Sequence, residues 1–322
     1  MLMHTAWALD NCRVKLVEVV PVQLANLDAQ KLRSSLVTAE CVPPEAIDEW
    51  IEVIEAGNAE SIVPLIVGLA PRIAEIDFAC FRASGKWEFL ARMFKQNISL
   101  GLEKYSSRFM YLRHVRLKSN LHENSPYHSA DTADILSLDY LPNITYLAIS
   151  IPSRGRFTWP MAATASPTRL SFLKLYRIRE HRVLRTILAV CPALESFRFK
   201  WLHHSGLDQP YNSRVADLDE IASAIVSAPC NETLKDLKID PTCKAERNFD
   251  TWSEAQPPPV VIRESLQALS QLPNTGLLWL PWVLLVGMGR GPSPFSPGFI
   301  ANVLPRSIEE VTIADDFPTS DY

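Results

Sequence analysis

The sequence predicts an α/β chain of stacked helix–strand units, whose strands form a curved parallel sheet with the helices on its convex side. Three observations lead there. An amphipathic run of helical period recurs along the chain, often ending near a proline, and a short alternating apolar run follows it. Hydrophobic residues make up 47% of the 322 positions, which fits a folded chain and excludes general disorder. The longest apolar stretch, Gly276 to Gly289, is divided by Pro281 and falls short of the roughly 20 residues that a bilayer crossing needs; it belongs to a core.

The first unit runs from Ile47 to Phe78. Trp50, Ile51 and Ile54 share one helical face, and Ile62, Leu65, Ile66 and Leu69 share another after the Gly57-Asn58 break. Pro71 stops that helix, and Ile73, Ile76 and Phe78 begin a strand. The second unit pairs a helical run, Trp87 to Gln96, with a strand over Tyr111 to Ser119 in which Leu112, Val115 and Leu117 are the apolar positions. A third has a short helix over Ala133 to Tyr140 and a strand over Ile144 to Ile151, and Arg169 to Ile178 then adds another strand.

The clearest unit is Val183 to Trp201. Leu184, Ile187, Leu188 and Val190 form a stripe, Cys191-Pro192 ends the helix, and Leu194, Phe197 and Phe199 alternate. A fifth follows, with Leu218, Ile221, Ile225 and Val226 on a helix and Leu234, Leu237 and Ile239 on a strand. The last strands are expected over Leu277 to Leu280 and Ile308 to Ile313. Loops are expected at Ser119 to Asp131, at Asp240 to Pro259 with its Pro257-Pro258-Pro259 run, and at Gly289 to Gly298.

Strand centres lie roughly 22 to 41 residues apart, longer and less even than a regular leucine-rich repeat. The physical logic is the same. One helix and one strand cannot bury their own apolar faces, so neighbours must stack, and strands separated by helices pair in parallel through right-handed crossovers. The expectation is an irregular leucine-rich-repeat-like solenoid over residues 45–316, preceded by an unassigned segment, 1–44, and followed by a frayed tail, 317–322.

A net charge of −4 gives no general attraction to nucleic acid or to anionic lipid, and neither is an expected partner. The six cysteines form no CxxC pair, so zinc-ribbon and thioredoxin chemistry are not expected. Asp10 interrupts the N-terminal apolar run, so no secretory leader is read, and reduced thiols in the cytoplasm or nucleus are expected.

Catalytic, metal and cofactor sites are not expected. The glycines of Gly287 to Pro292 resemble a dinucleotide loop, but Pro292, Pro294 and Pro297 forbid the helix that must follow. His203-His204, with Asp208, lacks a second ligand pair at metal spacing and reads as an exposed loop. No GxSxG occurs, and Glu309-Glu310 and Asp315-Asp316 read as solvated positions. The N-x-S/T triplets at Asn97, Asn143 and Asn231 are chance matches without a leader.

The strand faces carry the functional signal. Arg113, His114, Arg116 and Lys118, then Lys174, Tyr176, Arg177 and Arg179, then Arg198, Lys200 and Trp201, then Lys235 and Lys238 recur at comparable places. Stacked repeats align such positions into a stripe. The candidate binding residues are Arg116, Lys118, Lys174, Tyr176, Arg177, Arg198, Lys200, Trp201 and Lys238. Together they describe a mildly basic groove with aromatic anchors for an acidic protein partner. Ordinary polar alternation facing water is the plainer reading of each residue alone.

The helix followed by Cys191-Pro192-Ala193-Leu194-Glu195-Ser196-Phe197 resembles the repeat region of fungal F-box-type leucine-rich-repeat proteins. Ser265 to Gly287 with Leu304 to Ile313 resembles the closing repeats of that group, and Trp50 to Phe78 an early one. The resemblance covers roughly residues 45–316 at the level of repeat pattern. It implies a non-catalytic protein–protein module that holds a substrate for a ubiquitin ligase. Residues 1–44 offer only Val14 to Leu27, with Pro21 in the middle, and no F-box opening. A Skp-type adaptor is therefore expected only if a cryptic F-box exists. An orphan repeat scaffold, or an α/β enzyme with an unrecognised active site, are the alternatives.

Overall fold

The computed structural model describes residues 13–15, 28–39, 42, 44–56, 59–70, 72–78, 93, 109–117, 143–150, 169–178, 181–204, 215–244, 261–263, 266–281, 284–285 and 299–314. The chain divides into two compact units: Met1–Ile149 with Thr158–Arg169, and Ser150–Phe157 with Leu170–Tyr322. Both are α/β, and their strands pair in parallel.

In the first unit the strands β1 (Arg13–Lys15), β2 (Glu75–Phe78), β3 (His114–Leu117) and β4 (Tyr146–Ser150) lie side by side in chain order. Three helices pack on one another: α1 (Ala29–Ala39), α2 (Ile47–Glu55) and α3 (Ala59–Leu69). The segment 1–44, unassigned from sequence, thus supplies both a strand and a helix. Asp28 starts α1 by accepting hydrogen bonds from the backbone N–H groups of Gln30 and Lys31 at 3.0 and 3.2 Å. Those bonds, that of Lys31 foremost, hold its carboxyl below the ordinary carboxylate range.

In α2 the predicted face is the observed one, with Ile47, Trp50, Ile51 and Ile54 buried. In α3 the buried positions are Ser61, Leu65 and Val67, while Ile62, Ile66 and Leu69 are only half-buried. The helix is apolar nearly all round, so its period could not choose a side. The Trp50 indole N–H, which donates to the Ser61 carbonyl at 2.9 Å, marks the side that meets α2.

The second unit carries a five-stranded parallel array in the order β5 (Phe172–Ile178), β6 (Ser196–His204), β8 (Asp236–Lys244), β10 (Leu277–Pro281) and β11 (Glu310–Ala314). A separate parallel pair joins β7 (Val215–Asp217) and β9 (Val261–Arg263), neither of which was expected. The helices are α4 (Val183–Leu188), α5 (Leu218–Val226) and α6 (Phe299–Val303), with a 3-10 turn at Gln267–Gln271. Asp217 caps α5 by accepting from the Glu220 N–H at 3.0 Å. Glu220 in turn receives His181 Nε2 at 2.9 Å, so the first turn of α5 is tied to the turn that leads into α4.

Two loop expectations are corrected. His203-His204 lies within β6, and β8 continues through Asp240 to Lys244, pairing with β6 along its whole length. Pro241 disguised this: a proline reads as a break, yet here it sits opposite Trp201 as a ladder partner.

One frame leads into every described strand from β2 on, β7 and β9 excepted, its first position ahead of the strand and the other two within it. It has apolar positions spaced as L-x-x-L-x-L, seen at Ile73-Ile76-Phe78, Leu112-Val115-Leu117, Leu170-Leu173-Leu175, Leu194-Phe197-Phe199 and Leu234-Leu237-Ile239. Where its side chains are described they are buried in all of these. Thr275 takes the first position in the β10 frame, where its hydroxyl donates to the Leu234 carbonyl at 3.0 Å, so a buried polar atom is satisfied. The carbonyl just ahead of a strand accepts two consecutive N–H groups of the next frame. Glu195 receives Lys235 and Asp236 at 2.8 and 3.0 Å, Lys235 receives Gly276 and Leu277 at 3.0 and 2.9 Å, and Gly276 receives Glu309 and Glu310 at 2.8 and 2.9 Å. In the last frame Ile308, Val311 and Ile313 are only half-buried.

The predicted helical runs at Trp87 to Gln96 and Ala133 to Tyr140, and the loops at Ser119 to Asp131 and Gly289 to Gly298, lie outside the described residues, except Met93, which is helical.

Candidate protein-recognition face

Alternation along each strand sends every second side chain to the opposite face of the sheet. On one face of the second unit, Leu173, Phe197, Leu237 and Leu278 form a row and are buried, as are Leu175, Phe199 and Ile239 in the next. The other face carries Phe172, Ser196, Asp236 and Leu277 in one row and Lys174, Arg198, Lys238 and Trp279 in the row beside it. Every side chain in these two rows is half-buried except Leu277, which is exposed.

The second row is a line of cations laid on aromatic rings. Lys174 Nζ is 4.7 Å from the Tyr176 ring centroid, Arg198 Cζ is 5.2 Å from that of Phe172, and Lys238 Nζ is 3.6 Å from that of Trp279. Two carboxylates stand among them. Asp236 accepts from Ser196 Oγ at 2.7 Å and pairs with Arg198 Nη2 at 3.2 Å; Asp240 lies 3.9 Å from Lys200 Nζ. Among the described side chains of this face on β5, β6 and β8, the balance is four cations against two carboxylates. Its electrostatic signature is at Lys238, whose pKa lies below the ordinary lysine value. Partial burial is the largest cause, nearby Asp240 opposes it, and repulsion from Arg198, Lys174 and Lys200 adds to it.

Of the predicted binding residues, the fold brings together Lys174, Tyr176, Arg198, Lys200 and Lys238. Arg116 belongs to the other unit, where Nη1 lies 3.4 Å from the carboxylate of Asp77, which is itself 1% exposed. Trp201 is corrected: it shares the parity of Phe197 and Phe199 and is 2% exposed, so it is a core residue and no anchor. Arg177 lies where the β5–β6 register shifts between Leu175 and Ile178, and its side chain falls outside the described residues, as does Lys118 altogether. Of the neighbouring strand residues, His114 packs edge-on against Tyr146, with centroids 5.7 Å apart, in the first unit, and Lys235 pairs with Glu195 at 3.2 Å near solvent.

Reading the sequence missed Phe172 and Trp279 as the rings that hold Arg198 and Lys238, and Asp236 and Asp240 as the counter-charges. Their signal was parity: DLKID alternates charge with core, and LLWLP places Trp279 between two core leucines.

Among the described residues, no group of three or more His, Cys, Asp or Glu side chains is placed to hold a metal ion, and no helix is long and apolar enough to cross a membrane. Neither a family model, a curated protein nor a solved structure matches the chain.

Proposed function

We propose that this chain is a protein-recognition module that holds an acidic partner segment on the outer face of β5, β6, β8 and β10. The observation that carries the reading is the row Lys174–Arg198–Lys238, three cations at successive strand steps, each fixed against an aromatic ring. Holding cations on rings lowers the entropy lost when a ligand orders them. The excess of positive charge favours carboxylates and steers their approach. The repeated frame supports the further reading that successive helix–strand repeats stack as an irregular leucine-rich-repeat-like solenoid with the helices on its convex side.

Within this reading, the resemblance of the repeat region to fungal F-box-type proteins supports a role as substrate receptor of a ubiquitin ligase, acting in the cytoplasm or nucleus. A scaffold without ligase machinery uses the same face.

Capture from native cells tests both levels. With the tagged full chain as bait, the double substitution Lys174→Glu with Lys238→Gln lowers recovery of the wild-type partners by about tenfold or more. Its melting temperature stays within about 2 °C, because the altered positions lie on the face opposite the buried rows. Undiminished recovery removes the recognition face. Co-recovery of a Skp-type adaptor and a cullin supports the ligase role, and partners recovered without them assign the chain to a scaffold.

A further inference from the structure

We propose that the occupant of this face is a short acidic peptide that also carries one large apolar side chain, seated on Leu277 and Trp279, about three residues from its carboxylates. The inference rests on the recognition reading and adds the chemistry of the ligand.

The face is polarised along the direction that crosses its strands. Towards β5 and β6 it presents Lys174, Arg198 and Lys200. At β10 it turns apolar: Leu277 is 44% exposed and Trp279 lies two residues on, on the same side of the strand. Beyond β10 it turns acidic, since Glu310 stands opposite Leu277 in register and is exposed, as is Glu309. The Glu309 side chain lies against Gly276, 3.6 Å from where a β-carbon would stand, which keeps that carboxylate beside the start of β10.

β8 is mixed, with Lys238 between Asp236 and Asp240. Carboxylates of a ligand are therefore drawn over β5 and β6 and repelled from β11, while an exposed leucine beside an indole offers an apolar seat between the two. Neighbouring strands are about 4.8 Å apart, so Arg198 on β6 and Trp279 on β10 are separated by two steps, about 10 Å. An extended chain advances about 3.3 Å per residue, so about three residues span that distance.

Selection from a phage-displayed library of random decapeptides, with the full chain as bait, reads the ligand directly. The expected consensus has acidic residues and one Leu, Ile, Phe or Trp at a fixed spacing of about three. Replacing that residue by Ser in a selected peptide weakens binding to the wild-type chain about tenfold, and by less than about twofold to Leu277→Ser. An acidic consensus with no fixed apolar position, or an apolar preference that survives Leu277→Ser, overturns the inference and leaves the recognition reading standing. A consensus without acidic residues overturns both.

Discussion

A lysine that is partly desolvated and surrounded by other cations costs a fold stability while it stays charged, and Lys238 is in that position. Its pKa in the folded chain lies below the ordinary lysine value of 10.5 that it recovers on unfolding. At neutral pH both states carry the proton, and the electrostatic cost is present in full. As pH rises through the folded value towards the unfolded one, the folded chain releases the proton first and the cost disappears. Lys238→Met keeps a long stem against Trp279 and removes the charge, and with it the cation–ring contact. Whatever the balance at pH 7, the stability difference between Lys238→Met and wild type is expected to move in favour of wild type as pH approaches about 10. Urea midpoints at pH 7, 8.5 and 10 measure it, and a pH-independent difference contradicts it. In a second group burial dominates: the thiol of Cys230 is pushed up to about 11 by desolvation, opposed by a backbone hydrogen bond. Burial perturbs both, but only Lys238 stands among like charges on an accessible row.

At the scale of single elements, alternation identified most strands, and it failed where alternation alone is ambiguous. Phe197 and Leu237 were legible as inward positions because polar neighbours flank each one, whereas the adjacent Phe172 and Leu173 left the inward position of β5 open until register placed Leu173 in the core. Trp201 was not, because an aromatic residue at a strand end suits either face until register is known. The spacing from Leu175 to Ile178 breaks a period of two. The β5–β6 register shift accounts for it, setting Ile178 opposite Trp201. The segments β1, β7 and β9 are three residues each, too short for any period to show. Opposite faces predict opposite outcomes for adjacent residues. Trp201→Ala is expected to cost about 3–5 kcal/mol. Lys200→Ala, one residue earlier and half-exposed, is expected to stay within about 1 kcal/mol. Denaturant unfolding of the two variants side by side checks the assignment. Equal losses contradict the face on which Trp201 has been placed.

Across the whole chain, what recurs is a frame and not a length. From 24 residues between Leu170 and Leu194 to 41 between Leu234 and Thr275, the insertions vary, while the L-x-x-L-x-L spacing and the shared carbonyl before the strand do not. This explains why the α/β class was legible and the repeat boundaries were not. A frame of six residues fixes which side chains enter the core, but the connecting segments answer only to loop closure, which tolerates length well. It also separates two descriptions of how the chain is stabilised. In a stacked array each frame contacts its neighbours, so stability is a sum of local terms; in a globule with one core, a defect is felt throughout. Leu237 is fully buried at the centre of the β8 frame, registered with Phe197 on β6 and Leu278 on β10. Leu237→Ala creates a cavity worth about 2–5 kcal/mol. In the stacked description, native-state hydrogen exchange of this variant loses protection in β6, β8 and β10 and keeps it in β2 and β3. A uniform loss across all five strands shows one cooperative core and removes the solenoid reading, while leaving the cationic face, which depends only on local strand register, where it is.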